Sequence, residues 1–172
     1  MEYIRQYGEP EEVFARLYTE MYELCEAHKW GDPFSYARAR EIYMANSLRH
    51  KIHSTFAGPD GHDSEGACEY KSTTGPKIQG TYNGISVQET WEKQLEYLKD
   101  KKIGCYKWHY FARFEGSLIV ELWKMPGEKV LELILPSLER QFKSEKKTKD
   151  PRLGVTLTHK SITTYGQKID IQ

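Results

Sequence analysis

At 172 residues, with 38% hydrophobic and 29% charged side chains, the chain has room for one domain with its own core, and no run approaches the ~18 apolar positions of a membrane span. Its 25 basic and 25 acidic residues cancel, so net charge points to no polyanionic partner, and the widely spaced Cys25, Cys68 and Cys105 make neither a disulfide framework nor a zinc clip. We expect a single domain over residues 1–172, with a helical part (1–50) and a core (51–172), in a cytoplasmic protein, because MEYIRQYGEP lacks the basic start and apolar run of a secretion signal.

Pro10 followed by Glu11 and Glu12 suits a helix start, and Val13, Phe14, Leu17, Tyr18, Met21, Leu24, Cys25 and His28 recur at three- and four-residue steps, predicting an amphipathic helix of about five turns. Trp30-Gly31-Asp32-Pro33 breaks it, and FSYARAREIYMANSLRH predicts a second helix ending near His50. Residues 51–82 change texture to short segments punctuated by AGPDG, SEGA and TTGPK, which predicts two or three strands with tight turns. Ser86 and Glu89 form a capping-box pattern for a helix through about Lys102. Two strands follow, IGCYKWHYFARF and SLIVELWKM, split at Glu115-Gly116. A helix over GEKVLELILPSLERQF should kink or restart at Pro136, and GVTLT ends the series as a strand. This order suits an α/β chain with a mixed sheet flanked by helices. Charge is uneven along it. Residues 1–30 carry seven acids against three bases, and residues 140–152 carry six bases.

The chemistry concentrates in DGHDSEGACEYKSTTG. In a strand, residues two apart share a face, so Glu69 and Lys71 project together while Cys68 and Tyr70 project to the other side. A turn at SEGA would fold the preceding segment back and set Asp60 beside Glu69. Two carboxylates and a strand carbonyl make a hard oxygen site suited to Mg²⁺, and a neighbouring ammonium can stabilise charge on a phosphorane-like transition state or position water. Asp63 competes with Asp60 for the first position, at a shorter step from Glu69. A solvated charged hairpin is the structural alternative.

Pro59-Asp60, a nine-residue step and Glu69-x-Lys71 resembles the PD-(D/E)xK motif of restriction-endonuclease-like nucleases. EYKSTTGPKIQGTYNGIS, with REIYMANSL upstream, is more narrowly similar to small type II restriction endonucleases. The motif spans 13 residues, and the order of elements extends the likeness loosely over about 35–160. The resemblance implies a central mixed sheet flanked by helices and Mg²⁺-dependent hydrolysis of double-stranded DNA at a short site by a homodimer, with no membrane partner. It implies Asp60 and Glu69 as metal ligands, Lys71 orienting or activating water, and Glu41 of the preceding helix as a further acid; alternatively, Glu41 simply pairs with Arg38. Directly after the motif, Lys77 suits a phosphate, and Gln79 and Asn83 carry the donor and acceptor needed at a base edge. A junction or repair nuclease of the same fold is the alternative function, and a non-catalytic nucleic-acid-binding module a further one. His50, His53 and His62 lack the companions of a zinc site, and no phosphate-binding glycine loop is present.

Overall fold

Pro10 at the first helical position and two acids in the first turn start α1, Pro10–Ala27, of the length its periodicity predicts. The computed structural model describes residues 8–54, 58–144 and 152–170. The second helix, α2, covers Arg38–Leu48 and starts later than FSYARAR suggests. Asp32 is the reason: its Oδ1 accepts the Phe34 N–H at 2.9 Å and its Oδ2 the Ser35 hydroxyl at 2.6 Å, which holds the residues after Pro33 in a turn.

Four strands, more than the two or three expected, follow by residue 85: β1 Lys51–Ile52, β2 Gly61–Asp63, β3 Gly66–Thr73 and β4 Gly80–Ile85. The next helix, α3, covers Trp91–Tyr97 and runs on through a π-helical turn, Leu98–Lys102. Its cap is Thr90, whose hydroxyl accepts the Lys93 N–H at 3.3 Å, and not Ser86. The Gln94 side chain accepts the Gln88 N–H at 2.9 Å and so draws the preceding residues into a bend, while Glu89 pairs with Lys93. Strands β5, Trp108–Glu115, and β6, Leu118–Pro126, make the expected hairpin. Helix α4, Gly127–Phe142, passes through Pro136 without a restart. Pro136 is exposed, so its missing N–H falls on the water side, while Ile134 and Leu138 anchor the helix on both sides of it. Strand β7, Leu153–Leu157, helix α5, His159–Tyr165, and strand β8, Gln167–Lys168, complete the chain. Of the basic run, Lys146, Lys147 and Lys149 lie outside the described residues.

The main sheet has the order β1-β2-β3-β5-β6-β8 and is antiparallel except for the central β3–β5 pair, which is parallel; β4 and β7 pair as a second, two-stranded sheet. This is a mixed α/β architecture. Both faces of β3–β5 are covered, as the unbroken aromatic run of β5 requires. On one face Cys68, Tyr70, Tyr110, Ala112 and Leu122 pack against Met44 and Ala45 of α2. On the other, Phe111 and Met125 pack with Ile78, Tyr82 and Ile85 of the β4 region and with Ile134 and Leu138 of α4. Glu69 and Lys71 sit opposite His109 and Phe111 in the β3–β5 register and so belong to this second face.

Candidate active site

The β2–β3 hairpin is closed by Ser64 and Glu65. Asp63 Oδ1 accepts the N–H groups of Glu65 and Gly66, at 2.7 and 3.0 Å, and its Oδ2 accepts the Tyr110 hydroxyl at 2.8 Å. From that turn the pairing runs back through Asp63↔Gly66, His62↔Ala67 and Gly61↔Cys68 and leaves Asp60 at the end of the ladder, alongside the Cys68–Tyr70 stretch of β3. Gly61 is buried against Tyr70, and a methyl group there would overlap the Tyr70 hydroxyl.

Asp60 is where β2 parts from its partner. Its N–H still donates to the Cys68 carbonyl at 3.1 Å, but the Tyr70 N–H is taken up by the Asp60 side chain, at 2.7 Å to Oδ2. The carboxylate thus continues the ladder after the backbone has left it. On β3, Glu69 and Lys71 form an ion pair, with the two side chains only 13% and 19% exposed. The ring of Tyr82 lies beneath the ammonium, its centroid 5.1 Å from Nζ.

Tyr82 is itself fixed from below. His109 Nε2 lies 2.9 Å from the Ile103 carbonyl, which can only accept, so Nε2 carries the proton and Nδ1 accepts the Tyr82 hydroxyl at 2.8 Å. Burial pushes the His109 imidazole down to about 4, so it is neutral. A methyl group at Gly80 would overlap the Phe111 ring, so only glycine there lets β4 come close enough to place Tyr82.

Glu41 reaches the site from α2. Arg38, 1% exposed, holds it at 3.1 Å through Nη1 and also donates to the carbonyls of Trp30 and His53; Arg40 Nε donates to Ser72 Oγ at 2.9 Å. The pairing with Arg38 is therefore real, and Glu41 nonetheless lies close enough to act on Asp60 and Lys71. Burial first, then repulsion from Glu69 and Glu41, push the Asp60 carboxyl up to about 7 against the pull of Lys71 and of the Tyr70 N–H. For Lys71, burial would lower the ammonium, but the carboxylates of Glu69, Asp60 and Glu41 together outweigh it and hold its pKa above the ordinary lysine value.

Asp60, Glu69, Lys71 and Glu41 are thus brought together, whereas Asp63 is tied into the turn. Lys77 and Gln79 are exposed on either side of buried Ile78 in the loop before β4, and Asn83 is exposed on β4, on the strand face opposite Tyr82. Sequence reasoning paired Arg38 with Glu41 but missed the support that Tyr82 and His109 give to Lys71. For Tyr82 the signal was available: Ile78, Gly80 and Tyr82 alternate with exposed neighbours, a strand pattern whose inner face meets Lys71.

Among the described residues no three His, Cys, Asp or Glu side chains form a ready-made ligand cage. The donor set nonetheless fits Mg²⁺, which takes one or two carboxylates and fills its remaining positions with water and phosphate oxygens. The Asp60 carboxyl is raised first by burial and then by repulsion from Glu69 and Glu41, and a divalent cation would relieve that repulsion. Neither a protein-family model nor a curated protein matches the chain.

Proposed function

We propose that the protein is a Mg²⁺-dependent endonuclease with a restriction-endonuclease-like core, cutting double-stranded DNA at a short specific site as a homodimer. The observation that carries this reading is the convergence of Asp60, Glu69 and Lys71 at the open end of one hairpin, with the Asp60 carboxyl pushed up to about 7 first by burial and then by its acidic neighbours.

Asp60 and Glu69 would hold the ion, which supplies Lewis-acid stabilisation of charge on the scissile phosphate. Lys71 stays charged between the carboxylates, so it acts as a hydrogen-bond donor that orients the attacking water and stabilises the pentavalent phosphorus rather than as a base. Tyr82 keeps the ammonium at the open edge of the site. Water attacks phosphorus, the bond to the 3′ oxygen breaks, and the products are a 5′-phosphate and a 3′-hydroxyl. Lys77, Gln79 and Asn83, exposed on the segment that follows β3, are the proposed DNA contacts.

The test is incubation of the purified protein with varied unmethylated plasmid and phage DNA in Mg²⁺ and in EDTA, with the ends sequenced. Defined ends that need Mg²⁺ support the reading. No cutting of any DNA sinks it, and cutting of four-way junctions in preference to plain duplex would move the protein to structure-specific nucleases.

A further inference from the structure

Helix α1 buries Val13 in its first turn and Cys25 in its last. Toward the Cys25 end, Arg38 reaches back to the Trp30 carbonyl, and Phe34 stacks on Tyr18 with ring centroids 4.0 Å apart. Phe14, Leu17, Tyr18, Met21, Leu24 and Phe34 are nevertheless 43–70% exposed. The five on α1 recur at three- and four-residue steps and form one stripe, from which Glu12, Arg16 and Glu23 are turned away by helical phase. An apolar patch of this size on a charged helix marks a contact surface.

We infer that the stripe is a two-fold interface at which α1 packs antiparallel on α1 of a second copy of this chain. The inference rests on the nuclease reading for its purpose, two sites for two DNA strands, though not for its geometry. Six large side chains that each expose roughly 100 Å² would bury about 600 Å² per copy, or about 1,200 Å² in all, the lower end of specific interfaces. Charge selects the partner and the direction. An antiparallel pair sets Glu11, in the first turn of one helix, against His28 and Lys29 at the end of the other and opposes the two helix dipoles; a parallel pair would put the acidic ends together. A lipid surface does not fit, because Glu9, Glu11, Glu12, Glu20, Glu23 and Glu26 outnumber Arg16 and Lys29 and would repel anionic headgroups.

Sedimentation velocity of the whole protein, from sub-micromolar to tens of micromolar, reads the outcome. The wild-type chain should sediment at twice its monomer mass, and Leu17→Glu/Met21→Glu as a monomer with an unchanged circular dichroism spectrum; Leu17→Lys/Met21→Lys serves if the acidic pair folds poorly. Glu11→Lys and Lys29→Glu should each weaken association about tenfold, and the two together restore it. A wild-type monomer at tens of micromolar, stripe variants that stay dimeric, or a double charge reversal that fails to rescue would overturn the proposal. DNA cutting is scored separately. A stripe-dependent dimer that cuts nothing leaves the interface standing and removes the nuclease reading, and a monomer that cuts overturns the interface and keeps the nuclease chemistry without the homodimer.

Discussion

The two ends of the β2–β3 hairpin place similar residues in opposite conditions. At the closed end the Asp63 carboxylate is surrounded by neutral donors, two N–H groups and a tyrosine hydroxyl. At the open end Asp60 has one N–H donor and faces Glu69 and Glu41. The first arrangement stabilises the fold, since each donor finds an acceptor. The second opposes it, since like charges are held together in a half-buried place, and perturbed carboxyls of that kind gather where chemistry is done. Three positions separate a turn-forming aspartate from one crowded by like charge, and the difference lies in their neighbours.

Removing the open end should have the largest effect. Glu69→Ala and Lys71→Ala should each lower the rate of DNA cutting by about 10³-fold or more while the melting temperature stays within a few degrees. Asp60→Asn should do the same to cutting and leave stability equal or higher, because it keeps an acceptor for the Tyr70 N–H and removes the repulsion. Full activity in Asp60→Asn would erase the contrast between the two ends.

Acid should separate the buried groups next. His109 is held at about 4 against ~6.5 when unfolded, so the unfolded chain takes up a proton that the folded chain refuses. Its contribution is complete above pH 6.5 and is lost as pH falls toward 4, a change of about 3 kcal/mol. Asp60 runs the other way: with its folded carboxyl at about 7 against 3.8, the folded chain gains the proton first and is favoured as pH falls between those values. Urea midpoints across pH 4–8 should therefore fall less steeply with acid in His109→Gln than in wild type, and more steeply in Asp60→Asn. Parallel curves for all three proteins would refute both assignments.

At the closed end, Asp63→Ala leaves two N–H groups and a hydroxyl without their acceptor and should cost about 2 kcal/mol by urea denaturation, with cutting by the surviving folded protein unchanged. A dead but stable Asp63→Ala would transfer the metal-ligand role from Asp60. The smallest effect is expected beneath the lysine. Tyr82→Leu removes the ring under Nζ and should lower kcat about tenfold with little change in KM, and Tyr82→Phe, which keeps the ring and loses only the hydroxyl, by less.

Strand alternation was enough to sort Cys68 and Tyr70 inward and Glu69 and Lys71 together, because a period of two holds whatever the sheet does next. Choosing between Asp60 and Asp63 was beyond it. That depends on where the hairpin closes, and the two-residue turn at Ser64 and Glu65 ties up Asp63 and leaves Asp60 alongside the Cys68–Tyr70 stretch of β3. The nearness of Glu41 was equally hidden, since it follows from Arg38 docking α2 through carbonyls far away in sequence. Local rules misled at Ser86, where S-x-x-E resembles a cap, and Thr90, extended and next to the first helical residue, takes the role. At Pro136 the restart that local rules allowed does not occur, because packing on both sides carries the helix through.

Gly80 leaves a mark on the whole arrangement. At that point β4 rests its bare backbone on the Phe111 ring, with the Lys71 Cβ beside it, so the approach of the small β4–β7 sheet to the main sheet is limited there by packed carbon. Tyr82 inherits its height from this stop, and Lys71 from Tyr82. The ammonium is thereby gauged against close-packed carbon, whose dimensions do not change when ions or protons come and go. A cluster of three carboxylates and an ammonium thus takes its reference from an uncharged part of the molecule.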